Sequence, residues 1–529
     1  MATHQAQVIA LILGEQFGES AQIVASTLLS KGRLPLSQLI TQTGLPPKQV
    51  REALFVLIQH NIVSYTEAPE GLRVVVHYSV NALQVLLRDR FPEYIRIAKL
   101  RFGEKAQHII AEILKHGKCT FLHLQQALYP MESTPPDILD EFEDAFNTLI
   151  EQNFVVRVGD DDSVNVLDRK VSEEAAEVAK NPNMSASEKT KMKKALEAKS
   201  KGVEFEDMPT GMKRKLVYSF EEGDAKAAKV YDEDENMAER AYWRINPSRF
   251  HIHCRNEVLT ALAESRINTS AKHLLNAILT YGEPSMKHCK ADEVSAPITL
   301  THLGSDTTFD KSLLTYNPST PRASLQDYLA LLTLDQDFPF LTKQDERGGG
   351  QYVCNLLSLK TALHQHLITT YLQEKFGIVA SRIWRLLHTK GKLDEKQVAK
   401  LALISNKVAR EKLYEMLNVG LIQLQDVPKT VDHAPSRTFF LWYVSLPKCV
   451  DAMILETYHM LSNLKIRRLK EYNANGALIE KIERSDIQED ESLLTDGERK
   501  GVEKFHKVMN MIRISEIRLD RALLILRDF

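Results

Sequence analysis

Apolar residues recur at helical spacing along most of the chain and alternate at strand spacing in a few short runs. In residues 46–60 one helical face is apolar, formed by Val50, Leu54, Leu57 and Ile58. Alternating runs at 62–65 and 72–78 predict a hairpin with its turn at Ala68-Pro69-Glu70-Gly71. Two earlier helices are predicted at 7–29 and 36–43, so this segment has the order of a winged helix: three helices and then a hairpin.

A short pattern at the end of the third helix recurs twice. Ala53-Leu54-x-x-Leu57-Ile58-x-x-Asn61-Ile62-Val63 aligns with Ala145-Phe146-x-x-Leu149-Ile150-x-x-Asn153-Phe154-Val155 and with Leu413-x-x-Met416-Leu417-x-x-Gly420-Leu421-Ile422. Asn and Gly tolerate the left-handed conformation that ends many helices. Any helix followed by a strand could give one such match, but three matches after similar helices favour an internal repeat of winged helices.

The last copy is followed by a strongly β-forming hairpin. A helix is predicted at 407–418, then strands at 421–424 and 438–444 around a turn that Pro435 stiffens. From Pro447 onward the pattern is helical, and an apolar stripe on 499–527 is interrupted only at Glu516. Two long helices, 449–472 and 499–527, are therefore predicted to form an antiparallel coiled coil.

The predicted fold class is mainly α with small β-wings: tandem winged-helix modules followed by a C-terminal antiparallel helical hairpin. The predicted domains are winged helix 1 with an exit helix (1–102), winged helix 2 (103–158), a charged and largely flexible linker (159–240), winged helix 3 with insertions (241–377), winged helix 4 (378–446) and the helical hairpin (447–529). In winged helix 3, wing strands are predicted at 338–341 and 351–356, joined through Arg347-Gly348-Gly349-Gly350.

Composition limits the class of protein. A hydrophobic content of 43% with 26% charged residues is ordinary for a globular chain. The net charge of −2 provides no overall basic field for nucleic acid, so any DNA contact must come from local patches. Five cysteines without paired spacing indicate a reducing compartment, and no apolar run reaches the length of a membrane span, so a soluble intracellular protein is expected.

No catalytic residue, cofactor or metal site is predicted. Two-metal polymerase chemistry needs converging carboxylates, whereas the acidic clusters here flank linker-type sequence. The triple glycine lacks the Lys-Ser/Thr of a phosphate loop. Five residues offer zinc-binding atoms at a spacing that matches no usual zinc pattern, and buried structural roles are the favoured interpretation; they are His251, His253, Cys254, His288 and Cys289.

DNA contacts are predicted from basic residues near the N-terminal ends of third helices, where a recognition helix meets DNA. The candidates are Lys48 and Arg51 in winged helix 1 and Lys407, Arg410 and Lys412 in winged helix 4. The alternative for each set is that these residues lie on a solvent-exposed helix face and do not contact DNA. The third helix of winged helix 2 instead carries four carboxylates, at Asp140, Glu141, Glu143 and Asp144. That helix would repel phosphate and favours a protein partner.

Three stretches resemble one protein family. Pro428-Lys429 with Asp432-His433-Ala434-Pro435-Ser436-Arg437-Thr438-Phe439 is similar to the signature of the third-named subunit of eukaryotic RNA polymerase III. This family is the winged-helix member of the initiation heterotrimer and is related to the large subunit of general transcription factor IIE. Gln59-His60-Asn61-Ile62-Val63-Ser64-Tyr65, and Tyr242-Trp243 with Arg249-Phe250-His251, also match, in the same order. The resemblance covers most of the chain and weakens in 159–240 and 473–497.

The resemblance implies a nuclear, non-catalytic subunit of DNA-directed RNA polymerase III. It implies assembly with the two other heterotrimer subunits, docking beside the clamp of the largest subunit, and contacts with promoter DNA and transcription factor IIIB. The implied role is promoter recruitment and opening for small untranslated RNAs such as transfer RNA and 5S ribosomal RNA. A winged-helix scaffold of a non-polymerase complex, such as the proteasome lid or a vacuolar-sorting assembly, is the alternative.

Docking or structural roles are expected for residues of the last hairpin and the last helix. Arg437 enters a strand beside Phe439 in an apolar setting, so a partner carboxylate or carbonyl is expected, most simply Asp432 or an acidic group on a neighbouring subunit. The remaining candidates of this kind are His433 in the turn and Ile512 and Leu519 on the last helix.

We predict that limited proteolysis cuts first within 159–240. This Lys/Ala/Ser-rich segment has few aromatic residues and buries too little apolar surface to offset the entropy of ordering. N-terminal sequencing of the first fragments identifies the cut sites. First cuts inside 5–80 or 378–446 would contradict the predicted domain boundaries.

Overall fold

A computed structural model describes residues 3–70, 73–130, 135–180, 192–193, 241–286, 288–290, 292–305, 321–335, 338–345, 350–428, 438–484 and 494–529. The chain forms two compact units. The N-terminal unit is Ala6–Cys254 with Met286–Ala291, and it contains winged helices 1 and 2. The C-terminal unit is Met1–Gln5, Arg255–Ser285 and Asp292–Phe529, and it contains winged helices 3 and 4 and the helical hairpin.

Winged helix 1 follows helix α1 (Thr3–Phe17). Its elements are α2 (Glu19–Lys31), β1 (Leu34–Pro35), α3 (Leu36–Thr43), α4 (Pro47–Gln59), β2 (Val63–Glu70) and β3 (Arg73–Val80). The single helix predicted at 7–29 is two helices, because Gly18 adopts a φ of 84° between them. The turn predicted at 68–71 is also wrong, since β2 continues to Glu70 with Pro69 opposite Val74. The strand tolerates this proline because β2 lies at the edge of its sheet.

Winged helix 2 is reached through a short helix, a 3-10 turn and a longer helix: α5 (Ala82–Leu86), Leu87–Arg90 and α6 (Phe91–Phe102). Its elements are α7 (Glu104–His116), β4 (Cys119–Thr120), α8 (Phe121–Leu128), α9 (Pro136–Glu151), β5 (Val155–Arg157) and β6 (Tyr242–Ile245). Strand β6 pairs with both β4 and β5. The predicted boundary at 241 is therefore wrong: Tyr242-Trp243 completes winged helix 2, and the linker is an insertion between its last two strands.

Part of the linker is ordered structure on winged helix 1. After a 3-10 turn at Asp160–Ser163, helix α10 spans Val166–Lys180. The Asp168 carboxylate accepts hydrogen bonds from Arg33 at 2.6 Å and from Thr66 at 2.5 Å. The expectation of a largely flexible linker is wrong for this part. The ion pair between Asp168 and Arg33 attaches α10 to winged helix 1, and the composition of the linker gives no sign of this contact. Residues 181–191 and 194–240 lie outside the described residues.

Winged helix 3 follows helix α11 (Pro247–Arg266). Its elements are α12 (Thr269–Gly282) with a 3-10 turn (Glu283–Ser285), β7 (Ile298–Thr299), α13 (Leu300–Ser305), α14 (Pro321–Leu334), β8 (Thr342–Asp345) and β9 (Gln351–Val353). The strand predicted at 338–341 is wrong, because Phe338 and Phe340 are buried in the loop that precedes β8. Of the predicted glycine tip, only Gly350 is among the described residues.

Winged helix 4 follows helix α15 (Leu356–Phe376). Its elements are α16 (Ile378–Lys390), β10 (Leu393–Asp394), α17 (Glu395–Ala402), α18 (Asn406–Val419), β11 (Gln423–Pro428) and β12 (Thr438–Tyr443). The predicted wing forms with Val427 opposite Phe439, and its tip at 429–437 lies outside the described residues. The chain ends with α19 (Leu446–Ala474), α20 (Gly476–Ile482), α21 (Asp496–Leu523) and a π turn (Leu524–Asp528).

The core of winged helix 4 includes residues from outside the module. Ile368 and Leu372 of α15, Met453 of α19 and Leu526 of the final turn pack with Trp384 in one buried cluster. The Trp384 indole N–H donates to the Leu421 carbonyl at 3.2 Å, and the Cys449 thiol donates to the same oxygen at 3.0 Å. Winged helix 4 and the helices that flank it in sequence therefore share one hydrophobic core.

One sheet topology recurs in all four modules. Within the described residues each sheet has three antiparallel strands, in the orders β1-β3-β2, β4-β6-β5, β7-β9-β8 and β10-β12-β11. The first strand has only two residues in each module, too short for a periodicity, and was not predicted. The predicted fold class of tandem winged helices with small β-wings is confirmed.

The repeated pattern at the end of the third helix has one backbone geometry. Asn61, Asn153 and Gly420 have φ values of 56°, 61° and 83°. The next residue in each copy donates its N–H to a carbonyl five positions back, in the pairs Ile62 to Leu57, Phe154 to Leu149 and Leu421 to Met416, at 2.9 to 3.0 Å. All six of these side chains are fully buried. This is a Schellman turn, which ends the helix and directs the chain into the wing.

We predict that Asn153→Ala destabilises winged helix 2 locally by about 1 kcal/mol, because alanine pays the full steric cost of the left-handed conformation. Hydrogen exchange of a peptide that covers 149–157, followed by mass spectrometry, should become about fivefold faster. Asn153→Gly is the matched control and should keep the original protection. Equal exchange in the two variants would contradict the role given to this conformation.

Candidate nucleic-acid interface and docking surfaces

The winged helices differ strongly in charge. Residues 378–446 of winged helix 4 contain eleven Lys and Arg against six Asp and Glu. Residues 103–158 of winged helix 2 contain four Lys and Arg against nine Asp and Glu, and residues 1–80 contain five of each kind. Because phosphate binding is driven by local positive charge, winged helix 4 is the most favourable of these three for DNA.

The basic candidates of winged helix 4 lie on one exposed edge. Lys407 is exposed in the first turn of α18. The N-cap of this helix is Ser405, whose hydroxyl accepts a hydrogen bond from the Val408 N–H. Arg410 pairs with Glu395 of α17, with an Nη2 to Oε1 distance of 2.9 Å, and it remains 64% exposed. Lys412 is less accessible, because it pairs with Glu415 at 2.8 Å and is only 23% exposed. Lys407 is thus the most available of the three, whereas Arg410 already has a carboxylate partner in Glu395.

The candidates of winged helix 1 lie on an exposed face of α4. Lys48 is 87% exposed, with its Nζ 3.9 Å from Glu52, and Arg51 is also exposed. Phe55, one turn further along this helix, is 72% exposed. An exposed aromatic ring with basic neighbours suits either a nucleic-acid base or an apolar protein surface.

The acidic third helix of winged helix 2 presents its carboxylates outward. Asp140, Glu141 and Asp144 lie on or beside its solvent face, and Lys105 pairs with Glu141. Burial, with Asp140 and Asp144 as further causes, raises the pKa of Glu143 above its ordinary value. The interpretation of α9 as a surface for protein, not for phosphate, stays a prediction.

The five zinc-type residues have structural surroundings. His251 Nε2 lies 2.8 Å from the Tyr94 hydroxyl, and His253 Nε2 lies 2.6 Å from Arg101 Nη1. Cys254, His288 and Cys289 are buried. Among the described residues these five do not converge on a common point. A buried structural role for these residues stays a prediction.

The docking candidates separate into three groups. Asp432, His433 and Arg437 lie outside the described residues. Phe439 is 51% exposed on β12, and its partner across the sheet, Val427, is 37% exposed, so these two residues form a small apolar patch on one face of the wing. Ile512 is buried between the long helices and Leu519 is half-buried, which makes both structural residues of the hairpin.

The interruption of the apolar stripe at Glu516 has a partner on the facing helix. Arg468 of α19 lies 3.4 Å from Glu516 of α21, and both side chains are mostly buried, at 16% and 13% exposed. The opposite face of α21 exposes Met511, Ile514 and Ile517, by 48% to 63%. The hairpin thus has a charged pair in its seam and a second, outward apolar face.

The topology defines a class of protein: a tandem winged-helix protein. No helix in the described parts of the chain combines the length and apolarity needed to cross a membrane.

Comparison with known proteins supports a more specific statement. Residues 7–68 match a family model described as the RNA polymerase III subunit RPC82 helix-turn-helix domain, residues 144–363 match RNA polymerase III subunit RPC82, and residues 368–444 match the POLR3C C-terminal winged-helix domain. The chain is 30% identical to DNA-directed RNA polymerase III subunit RPC3 of Rattus norvegicus over 558 aligned residues, which cover 100% of this chain and 98% of the relative. It is 28% identical to RPC3 of Homo sapiens over 100% of this chain and 98% of the relative. Its identity to RPC-3 of Coccidioides immitis is 23% over the full length of both chains.

The chain belongs to this family of RNA polymerase III subunits. The resemblance seen in the three sequence stretches is confirmed.

We predict that Glu516→Ala destabilises the C-terminal unit by about 2 kcal/mol, because Arg468 loses a carboxylate in a mostly buried seam. Replacing both residues with apolar ones of similar size, Glu516→Leu with Arg468→Met, should cost less than the single change or should stabilise. Urea unfolding of the three proteins measures the difference. A double variant less stable than Glu516→Ala would contradict this account of the seam.

Proposed function

We propose that the chain acts in promoter recruitment, promoter opening and initiation by RNA polymerase III, as a subunit without catalytic activity of its own. The observation that carries the proposal is the full-length match to RPC3 relatives combined with the unequal charge of the winged helices. Such a charge distribution lets one module face DNA while another faces protein.

Winged helix 4 is the proposed DNA-contacting module. Exposed basic residues lie on two of its helices: Lys396 and Lys400 on α17, and Lys407 and Arg410 on α18. An exposed ion pair such as Arg410 with Glu395 contributes little, so its exchange for a phosphate costs little. Lys48 and Arg51 of winged helix 1 form a second, weaker contact in this proposal, because that module has no net excess of positive charge.

The proposed protein contacts use the remaining surfaces. The acidic helix α9 suits a basic partner segment, and the exposed apolar face of α21 at Met511, Ile514 and Ile517 suits an apolar one. The partners proposed from the family are the two other heterotrimer subunits, the clamp of the largest subunit and transcription factor IIIB, in the nucleus. Arg437 and the tip of the last wing are proposed to assist this docking.

The role in initiation is tested by reconstitution. RNA polymerase III that lacks the chain should fail to open a transfer-RNA promoter, measured by permanganate reactivity of unpaired thymines, and adding the purified chain should restore opening. Full opening without the chain would contradict the proposal. Purification of the tagged chain with proteasome-lid or vacuolar-sorting subunits, and without polymerase, would favour the alternative scaffold.

We predict that Lys407→Ala with Arg410→Ala weakens binding of the chain to duplex DNA. The dependence of log K on log salt should become shallower by about 0.9 for each phosphate that the variant no longer neutralises. Fluorescence anisotropy over a range of salt concentrations measures both effects. Lys504→Ala with Lys507→Ala removes the same charge from exposed positions on α21 and is the matched control. Equal weakening in the control would show that only net charge matters and would contradict DNA binding at winged helix 4.

A further inference from the structure

The structure brings two imidazoles and a carboxylate together at the turn between the first two helices of winged helix 2. Glu112 and His116 lie on successive turns of α7, and His123 lies in the first turn of α8. Their ligand-type atoms all lie within 4.8 Å of one another, and this is the one such group of three among the described residues. We propose that Glu112, His116 and His123 bind a divalent zinc-type cation.

The arrangement of donors suits zinc. Two histidines and one glutamate, with a fourth position left for water, is a recurring zinc coordination set. Ligand atoms around tetrahedral zinc are about 3.3 Å apart, given bond lengths of about 2.0–2.1 Å. His116 Nε2 already lies 2.9 Å from Glu112 Oε1, and the His116 and His123 rings are 5.0 Å apart between centroids. His123 is exposed, and its ligand atom lies within 4.8 Å of the other two.

The neighbours of Glu112 hold its carboxylate in position. Lys115 donates a hydrogen bond to Glu112 Oε1 at 3.0 Å, and His116 Nε2 lies 2.9 Å from the same oxygen. The Glu112 side chain is only 15% exposed, which holds it in place.

Lys115 is the competing cation. Its Nζ lies 3.0 Å from the same Glu112 oxygen, but its side chain is 66% exposed and reaches solvent when displaced. The proposed metal would join α7 to α8 across Gly117 and the short strand β4, and so fix the first two helices of winged helix 2 relative to each other.

The fixed spacing of Glu112 and His116, four residues apart on a helix, is a sequence signal for two ligands on one face. The third ligand is supplied only when the chain turns at Gly117 and starts α8. For this reason the sequence alone did not indicate a metal site here.

The test is zinc binding by the full-length chain, measured by equilibrium dialysis against zinc chloride in a weak competing chelator. One zinc per chain is expected in the wild type. His116→Ala and His123→Ala should each weaken this site about tenfold or more. His108→Ala is the matched control, because His108 is exposed on the same helix α7 and outside the group, and it should bind as the wild type does.

Two further measurements keep the test decisive if a histidine variant is poorly folded. Lys115→Gln should bind zinc about two- to fivefold more tightly, since it removes a competing surface ion pair. Cobalt chloride added to the wild type should give the visible absorption of a tetrahedral site with nitrogen and oxygen ligands. Absence of zinc binding in the wild type, or equal binding in wild type, His116→Ala and His123→Ala, would overturn the proposal.

Discussion

The left-handed residue at the end of the recognition helix is the constraint on which the wings of winged helices 1, 2 and 4 depend. Asn61, Asn153 and Gly420 take this conformation, and the apolar residue that follows each one is fully buried. This geometry ends the helix and gives its last carbonyl groups hydrogen-bond donors. It also places the next apolar side chain in the core. The third strand then pairs along the wing, and the two-residue first strand closes the sheet over the helices.

This constraint is also what made the fold predictable. Asn or Gly at one fixed offset from a helical apolar pattern is a local signal, so winged helices 1, 2 and 4 were visible in the sequence. A second local signal was available and unused: Phe17-Gly18, Phe102-Gly103 and Phe376-Gly377 each end a helix immediately before the first helix of a module, and each glycine has a φ between 84° and 88°.

The errors in prediction involve pairs of residues that are distant in sequence. Strand β6 lies after the insertion, so nothing local ties Trp243 to Cys119 or Arg157, which are its partners across the sheet. The packing of α10 depends on Asp168 reaching Arg33, and the pairing of Arg410 depends on the neighbouring helix that carries Glu395. The sequence could name the candidate DNA-contacting residues. It could not predict which of them are exposed and unpaired, because that depends on ion pairs such as Arg410 with Glu395.

Unequal charge on a repeated fold links the structure to function. The same backbone carries a basic third-helix edge in winged helix 4 and an acidic one in winged helix 2. The most direct measurement is hydrogen exchange of the full-length chain with and without duplex promoter DNA. The account predicts protection by DNA within 395–419 and none within 136–151. Protection of 136–151, with 395–419 unchanged, would contradict it.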